Sequence, residues 1–153
     1  MMTTDCLFCR IARHEIPAEI VHEDDEILAF LDICPIRPGH TLVIPKQHFP
    51  YFEALPPEFA GAITRFGQRL ATAMKCIYDV PRVAFLFTGT DIAHAHAHIV
   101  PMAAPGDITS RHYIVEEKVT FKTPPRRPAA ELVETGEALR SALRETLAES
   151  VSS

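Results

Sequence analysis

The chain has 153 residues, of which 47% are hydrophobic and 23% charged, the size and balance of one globular domain and not of a disordered chain. Its formal net charge is -5 and it carries no long basic run, which argues against electrostatic capture of a nucleic acid polymer. An anionic ligand would have to be held by a few donors in a pocket. No apolar stretch approaches the ~20 residues that cross a bilayer, and the polar, cysteine-bearing start from Met1 to Arg10 does not read as a signal peptide. Four cysteines in such a chain suggest a reducing cytoplasm, where metal ligands or core thiols are the expected roles.

In chain order, a Cys-x-x-Cys pair opens at Cys6 and is followed by a turn at Pro17. Glu19 to His22 is a short strand candidate, closed by the acidic turn Glu23-Asp24-Asp25. Glu26 to Ile33 is apolar enough for a buried strand. Cys34 to Gly39 holds two prolines and a glycine and must be a loop. His40 to Pro45 is the next strand. Pro57 to Val80 is predicted helical: Phe59, Ile63, Phe66, Leu70, Ala73 and Ile77 recur at steps of three and four. Cys76 lies in that helix and is expected to be a buried thiol.

Arg82 to Phe87 is a β-branched and aromatic strand candidate, Gly89 to Ala93 a tight link, and His94 to Pro101 a further strand. Arg111 to Lys122 alternates loosely and is one more strand candidate. After the stiff Pro124 to Pro128 connector, Ala129 to Ala148 is a second helix, with Leu132, Val133, Leu139, Leu143 and Leu147 along one side. Glu149 to Ser153 is expected to be loose. Strands joined by short links, with helices between, imply an α+β domain on an antiparallel sheet.

The run His94-Ala95-His96-Ala97-His98 carries the chemistry. In a strand these three imidazoles would form one row, with small alanines facing the other way. Imidazole is neutral and nucleophilic near pH 7, so the row suits either metal binding or covalent and acid-base chemistry. On a phosphate ester, a histidine nucleophile needs donors nearby to balance the growing charge on the oxygens.

The stretch Gly89 to Pro101 resembles the signature of the histidine-triad (HIT) family. Cys6-Leu7-Phe8-Cys9 with Glu15 to Ala18, Glu23 to Asp25 leading into Leu28 to Ile33, and Pro38 to His48 are similar to three further family stretches, in the same order. The resemblance covers about residues 5 to 101 and leaves 102–153 as a C-terminal extension of a single 1–153 domain. It implies an antiparallel sheet of about five strands with one long helix and a C-terminal helical extension. It also implies hydrolysis or transfer at a nucleotide's α-phosphate, through a nucleotidyl-histidine intermediate. His96 would be the nucleophile, His98 the phosphate contact and His40 a supporting histidine. Asp32 would accept the ribose hydroxyls, with Ile27, Phe30, Leu31 and Ile33 lining a purine pocket. Substrates would be nucleotide phosphoramidates or dinucleoside polyphosphates. The alternative is a nucleotide-binding protein with little turnover.

Cys6-x-x-Cys9 has the spacing of half a zinc site. A redox motif shares that spacing but is usually set beside a βαβ pattern, which is absent. In the resembling proteins that keep these cysteines, the remaining ligands match His48 and His94, giving a closed Cys2His2 structural zinc site. A catalytic metal on all three histidines is the competing use of the row, and it leaves Cys6, Cys9 and His48 without a role.

The departures sit just before the row. Many HIT hydrolases carry glutamine and then serine or threonine where this chain has Thr90 and Asp91. Those positions would touch the leaving group or the phosphate, so they bear on substrate choice. The resemblance further implies a homodimer through a continuous sheet. Arg111 and His112 are candidate substrate contacts on the extension, although exposed polar residues are common.

Overall fold

The computed structural model describes residues 6–88, 91–104 and 123–151. Helix α1 spans Leu7–Ala12, followed by strands β1 (Ile20–Glu23), β2 (Ile27–Leu31) and β3 (Thr41–Pro45). A single 3-10 turn, Phe52–Ala54, precedes helix α2 (Pro57–Tyr78). Strands β4 (Arg82–Phe87) and β5 (Ala97–Met102) and helix α3 (Ala129–Val151) complete the described elements. The strands form one five-stranded sheet in the order β1-β2-β3-β5-β4, with antiparallel pairing throughout.

The sheet is covered on both faces, which explains why β2 and β3 are buried at every residue instead of alternating. Ile27, Ala29, Leu31, Val43, Ala97 and Ile99 share one core with α2 and α3. Leu28, Phe30, Leu42 and Ile44 share the other with Phe8, Ile11 and Ala12 of α1. Successive side chains of a strand point to opposite faces. His98, between Ala97 and Ile99 and opposite Leu42, therefore belongs to the α1 face.

Helix α2 buries Ile63, Phe66, Leu70, Ala73 and Met74, close to the predicted stripe. Cys76 is exposed, contrary to expectation. It lies one step of ~100° from Ile77 and well off the arc of the buried residues.

One element was not anticipated, and two further expectations are corrected. Cys6 to Arg13 contains a helix that apolar spacing did not announce. Six residues are too few for a periodic pattern. Strand β5 starts at Ala97 and not at His94, so His94 and His96 precede the ladder. The second helix does not stop at Ala148, because α3 continues to Val151. The strand expected over Arg111 to Lys122 lies outside the described residues.

Helix α3 is part of the core. Leu139, Ala142 and Leu143 are buried in it, while Val133 is 44% exposed. Arg140 clamps the helix to the sheet by donating to the Glu19 carboxylate and the Ile20 carbonyl. Leu139→Ala is expected to cost ~2–5 kcal/mol, the usual range for a fully buried leucine. Urea unfolding measures it, and a loss under about 1 kcal/mol would separate α3 from the cooperative unit. Among the described residues no helix is long and apolar enough to cross a membrane.

Candidate functional site

Sheet register assembles one half of the site. Leu31 pairs with Thr41, and the next rung carries the Asp32 amide bonded to the His40 carbonyl at 2.9 Å. The loop between them turns through Gly39 at φ 92, where a Cβ would meet the Tyr78 ring at 2.6 Å, so glycine is required. Leu42 pairs with His98. Asp32, His40 and His98 thereby bring their ligand atoms within 4.8 Å of one another.

Hydrogen bonds then orient these rings. The Ile36 amide donates to His40 Nδ1 at 3.2 Å, so a neutral His40 carries its proton on Nε2 and donates it to His98 Nδ1 at 2.9 Å. His98 consequently keeps its own proton on Nε2. Asp32 Oδ1 accepts from the Cys34 amide at 2.7 Å, while its other oxygen stands 3.8 Å from His40 Nδ1. Burial pushes His98 down to about 4, assisted by the nearby His40 and His96. Burial also holds His40 below the ordinary range against the opposing pull of Asp32. Both rings are neutral at pH 7.

This neutrality has a pH consequence. An unfolded histidine titrates near pH 6.5, so acidification from 6.5 toward 4 protonates the unfolded chain first. The contribution of these rings to stability is present above about pH 6.5 and lost as pH falls through that window. Thermal unfolding between pH 7.5 and 5 is expected to show a falling midpoint. His98→Asn, which retains an acceptor for His40, should give a shallower profile by up to ~1.4 kcal/mol per pH unit. Parallel profiles would refute the attribution.

The other half is built by the segment before β5. Ala95 donates its amide to the Phe49 carbonyl at 2.7 Å, and His94 Nε2 donates to the Pro45 carbonyl at 2.9 Å. That bond leaves His94 Nδ1 as a lone pair. It faces Cys6 Sγ at 3.4 Å, Cys9 Sγ at 3.5 Å and His48 Nδ1 at 3.3 Å, and Cys9 Sγ stands 3.3 Å from His48 Nδ1. Burial pushes His94 down to about 4. Burial, then the adjacent Cys6 thiol, push Cys9 up to about 11.

A tetrahedral zinc ion with ordinary Zn–N and Zn–S bonds sets its ligand atoms about 3.3–3.8 Å apart. The four donor pairs just given keep that spacing, and all four ligand atoms lie within 4.8 Å of one another. A carbonyl partner on the far ring nitrogen is the usual support of a metal-binding histidine, and Pro45 supplies it. The donor set is compatible with zinc.

His96 lies between the two halves. It is 8% exposed, and its Nδ1 donates to the His94 carbonyl at 2.7 Å. The proton is thereby committed to Nδ1, and Nε2 retains the lone pair. Phe8 of α1 packs edge-on against the ring, with centroids 5.1 Å apart, and the His98 ring lies 4.9 Å away. The three histidines therefore do not form one strand row, nor do they converge on one point. His94 turns to the cysteines, His98 to His40, and His96 to neither.

Two cavities adjoin these groups. One of about 400 Å³ opens beside His96, lined by Tyr51, Phe52, Glu53, Phe87 and Ile92 among others. The other, about 30 Å³, touches Asp32, His40 and Leu31 together with Arg127, Glu131 and Thr135.

The HIT domain family model matches residues 13–104. The chain belongs to the histidine-triad family. It is 35% identical over 143 residues to an uncharacterized HIT-like protein of Mycobacterium tuberculosis, a match covering 90% of this chain and 92% of that one. It is 37% identical over 97 residues to the adenosine 5'-monophosphoramidase of Saccharomyces cerevisiae, covering 63% and 61%. The solved structure of a Zn-bound histidine triad family protein from Mycobacterium smegmatis superposes with a TM-score of 0.74 at 30% identity, over 97% of this chain and 99% of that one. The fold is the HIT fold, and the N-terminal Cys6-x-x-Cys9 of the zinc-binding subtype is present.

Within this HIT chain the four expected pocket residues do not share one wall. Ile27 and Leu31 lie in the core against α2 and α3, and Phe30 in the core against α1. Ile33 is 47% exposed. Asp91 is exposed, while Thr90, Arg111 and His112 lie outside the described residues. Sequence reading missed Phe8, which α1 carries edge-on against the His94 and His96 rings; no local pattern links residues so far apart in the chain. It also missed Arg127, Glu131 and Thr135 beside Asp32. No local signal links them, because α3 reaches that cavity only through tertiary packing.

Proposed function

We propose that this HIT protein hydrolyses a nucleotide bearing a leaving group on its α-phosphate, with His96 as nucleophile. The observation that carries the reading is the His96 Nδ1 bond to the His94 carbonyl. It fixes the tautomer whose Nε2 lone pair is available beside an open cavity. Nε2 attacks phosphorus, the bond to the leaving group breaks with its electron pair, and that group departs with a proton drawn from water. A second water then cleaves the phosphorus–nitrogen bond to His96, releasing the nucleoside monophosphate and a proton. His98, neutral and carrying its proton on Nε2, donates to the phosphate in place of the Thr88 backbone group that it bonds here. His40 holds His98 in that tautomer. The similarity to a monophosphoramidase supports the reaction class.

Asp32 is assigned to the ribose hydroxyls through its partly exposed carboxylate. Phe30 supports the base from the α1 face, with Ile27 and Leu31 as backing and Ile33 at the rim. Thr90 and Asp91 are assigned to the phosphate and leaving-group side. Cys6, Cys9, His48 and His94 hold structural zinc, which supplies a cross-link between α1 and the segment that positions His96. The chain is read as one unit, residues 1–153, with its core over about 5–101. It acts on a small purine nucleotide and not on a polymer, as a cytoplasmic homodimer. The outer position of β4 in the sheet and its 40% exposed Phe85 support pairing there.

The test is incubation with adenosine and guanosine phosphoramidates and dinucleoside polyphosphates, following release of the monophosphate. Turnover of none of them would favour a nucleotide-binding protein, the second reading, to which the exposed acidic Asp91 in place of a hydroxyl lends support.

A further inference from the structure

The loop from Asp32 to His40 carries two groups of the site, and part of what fixes it comes from the C-terminal extension. Inside the loop, the Asp32 amide donates to the His40 carbonyl at 2.9 Å and the His40 amide to the Arg37 carbonyl at 3.0 Å. The Cys34 amide donates to Asp32 Oδ1 at 2.7 Å. The far end of the loop rests on α2, where Gly39 lies against the Tyr78 ring. The near end is met by the start of α3. There the Arg127 amide donates to the Ile33 carbonyl at 2.8 Å, one residue beyond Asp32. Leu132 and Thr135 line, with Asp32 and His40, a seam of about 30 Å³, room for a water or two and not for a ligand. Leu132 also packs on the core that contains Leu31. The support is itself anchored, because Leu139 and Leu143 are buried and Arg140 bonds to Glu19 and Ile20. The HIT domain match ends at residue 104, so this support comes from outside it.

We propose that the start of α3, through the Arg127 amide and Leu132, is a positioning element that holds the Asp32 carboxylate ready for the ribose hydroxyls. The proposal rests on the Asp32 reading and adds to it the part played by the extension. A loop released at one end regains backbone freedom, which ligand binding must then remove. The Arg127 side chain is not the acting group. Its guanidinium stands 3.8 Å from the Glu131 carboxylate, with the two side chains 42% and 56% exposed, a pair of little energetic weight. The main-chain amide is the group that reaches the loop.

The experiment compares Arg127→Pro, which lacks the amide hydrogen, with Arg127→Ala, which keeps it. Both lose the guanidinium, so the comparison isolates the donor. Proline suits a stretch that already holds Pro124, Pro125 and Pro128. Two readouts are taken on the full chain. Hydrogen exchange at the amides of Asp32, Cys34 and His40 is expected to be about fivefold faster in the proline variant, the size of one lost hydrogen bond. Calorimetry should show adenosine monophosphate binding the proline variant about fivefold more weakly than the alanine variant. The 2',3'-dideoxy nucleotide lacks the hydroxyls and should bind the two variants alike. Unchanged exchange would overturn the proposal. So would equal weakening of the two nucleotides, the mark of general destabilisation, or weakening of neither. If the parent chain binds both nucleotides alike, or neither, the Asp32 reading fails separately. Exchange alone then decides: faster exchange keeps α3 as the support of the loop, and unchanged exchange removes it. Should Arg127→Pro fail to fold, Leu132→Ala is compared with the parent chain, and the same pattern is expected.

Discussion

His96→Ala is expected to reduce monophosphate release by at least ~10³-fold, as removal of a covalent nucleophile commonly does or exceeds. The reasoning begins with a single hydrogen bond. The His94 carbonyl holds the Nδ1 proton of His96 at 2.7 Å, so the ring cannot place its proton on Nε2 without breaking that bond. The ring is also boxed by Phe8 on one side and His98 on another, which limits its rotation. An alanine removes the attacking atom and leaves both neighbours in place. The thermal midpoint and the metal content should stay near those of the parent chain, because His96 belongs to neither the Cys2His2 group nor the central apolar core. Retention of full activity by the variant would sink the nucleophile assignment. Isolation of a nucleotidylated parent protein after brief mixing, absent from the variant, would support it.

The second large effect is expected from the cysteines. The Cys6→Ser, Cys9→Ser double variant should lose a stoichiometry of about one zinc per chain, the loading of a single closed four-ligand site. Binding free energy at such a site is also folding free energy. Here the sheet has its own two cores, so the domain should still fold, with a midpoint lowered by about 10 °C, a few kcal/mol for a chain of this size. Activity should fall as well. Zinc held by these four residues would tie α1 to His94, whose carbonyl orients His96. Its loss would then loosen both Phe8 and the acceptor that fixes the His96 tautomer. Elemental analysis that finds no zinc in carefully handled parent protein would remove the claim, and a double variant with unchanged midpoint would remove its structural part.

Much of this fold was legible from pattern alone. The stripe from Ile63 to Ala73 identified α2 because a helix of 22 residues repeats its apolar face several times. Strand β4 had the predicted bounds, Arg82–Phe87, because β-branched and aromatic residues there are flanked by proline on one side and threonine with glycine on the other. The C-terminal helix was legible from its leucines, while its depth of burial was not: Leu139 and Val133 look alike in sequence, yet one is buried and the other half exposed.

The histidine run shows the limit most clearly. Strict alternation from His94 to His98 suggested one strand and one row. The strand begins only at Ala97, because the preceding backbone leaves the ladder, and the Ala95 amide bonds instead to the Phe49 carbonyl. Local alternation cannot register a competing partner 46 residues away.

What the sequence by itself determined was the chemistry: the family, the two cysteines and the histidines, and the α+β architecture that periodicity and turn residues impose. These are properties of residue type and short-range spacing. The tertiary structure decided which nitrogen of each ring carries the proton and that the strand takes up the histidine run only at Ala97. It also decided that an aromatic cavity stands beside His96. Those features depend on the Pro45 and His94 carbonyls and the Ile36 amide, backbone groups whose positions come from sheet register and loop closure and which no side-chain pattern announces.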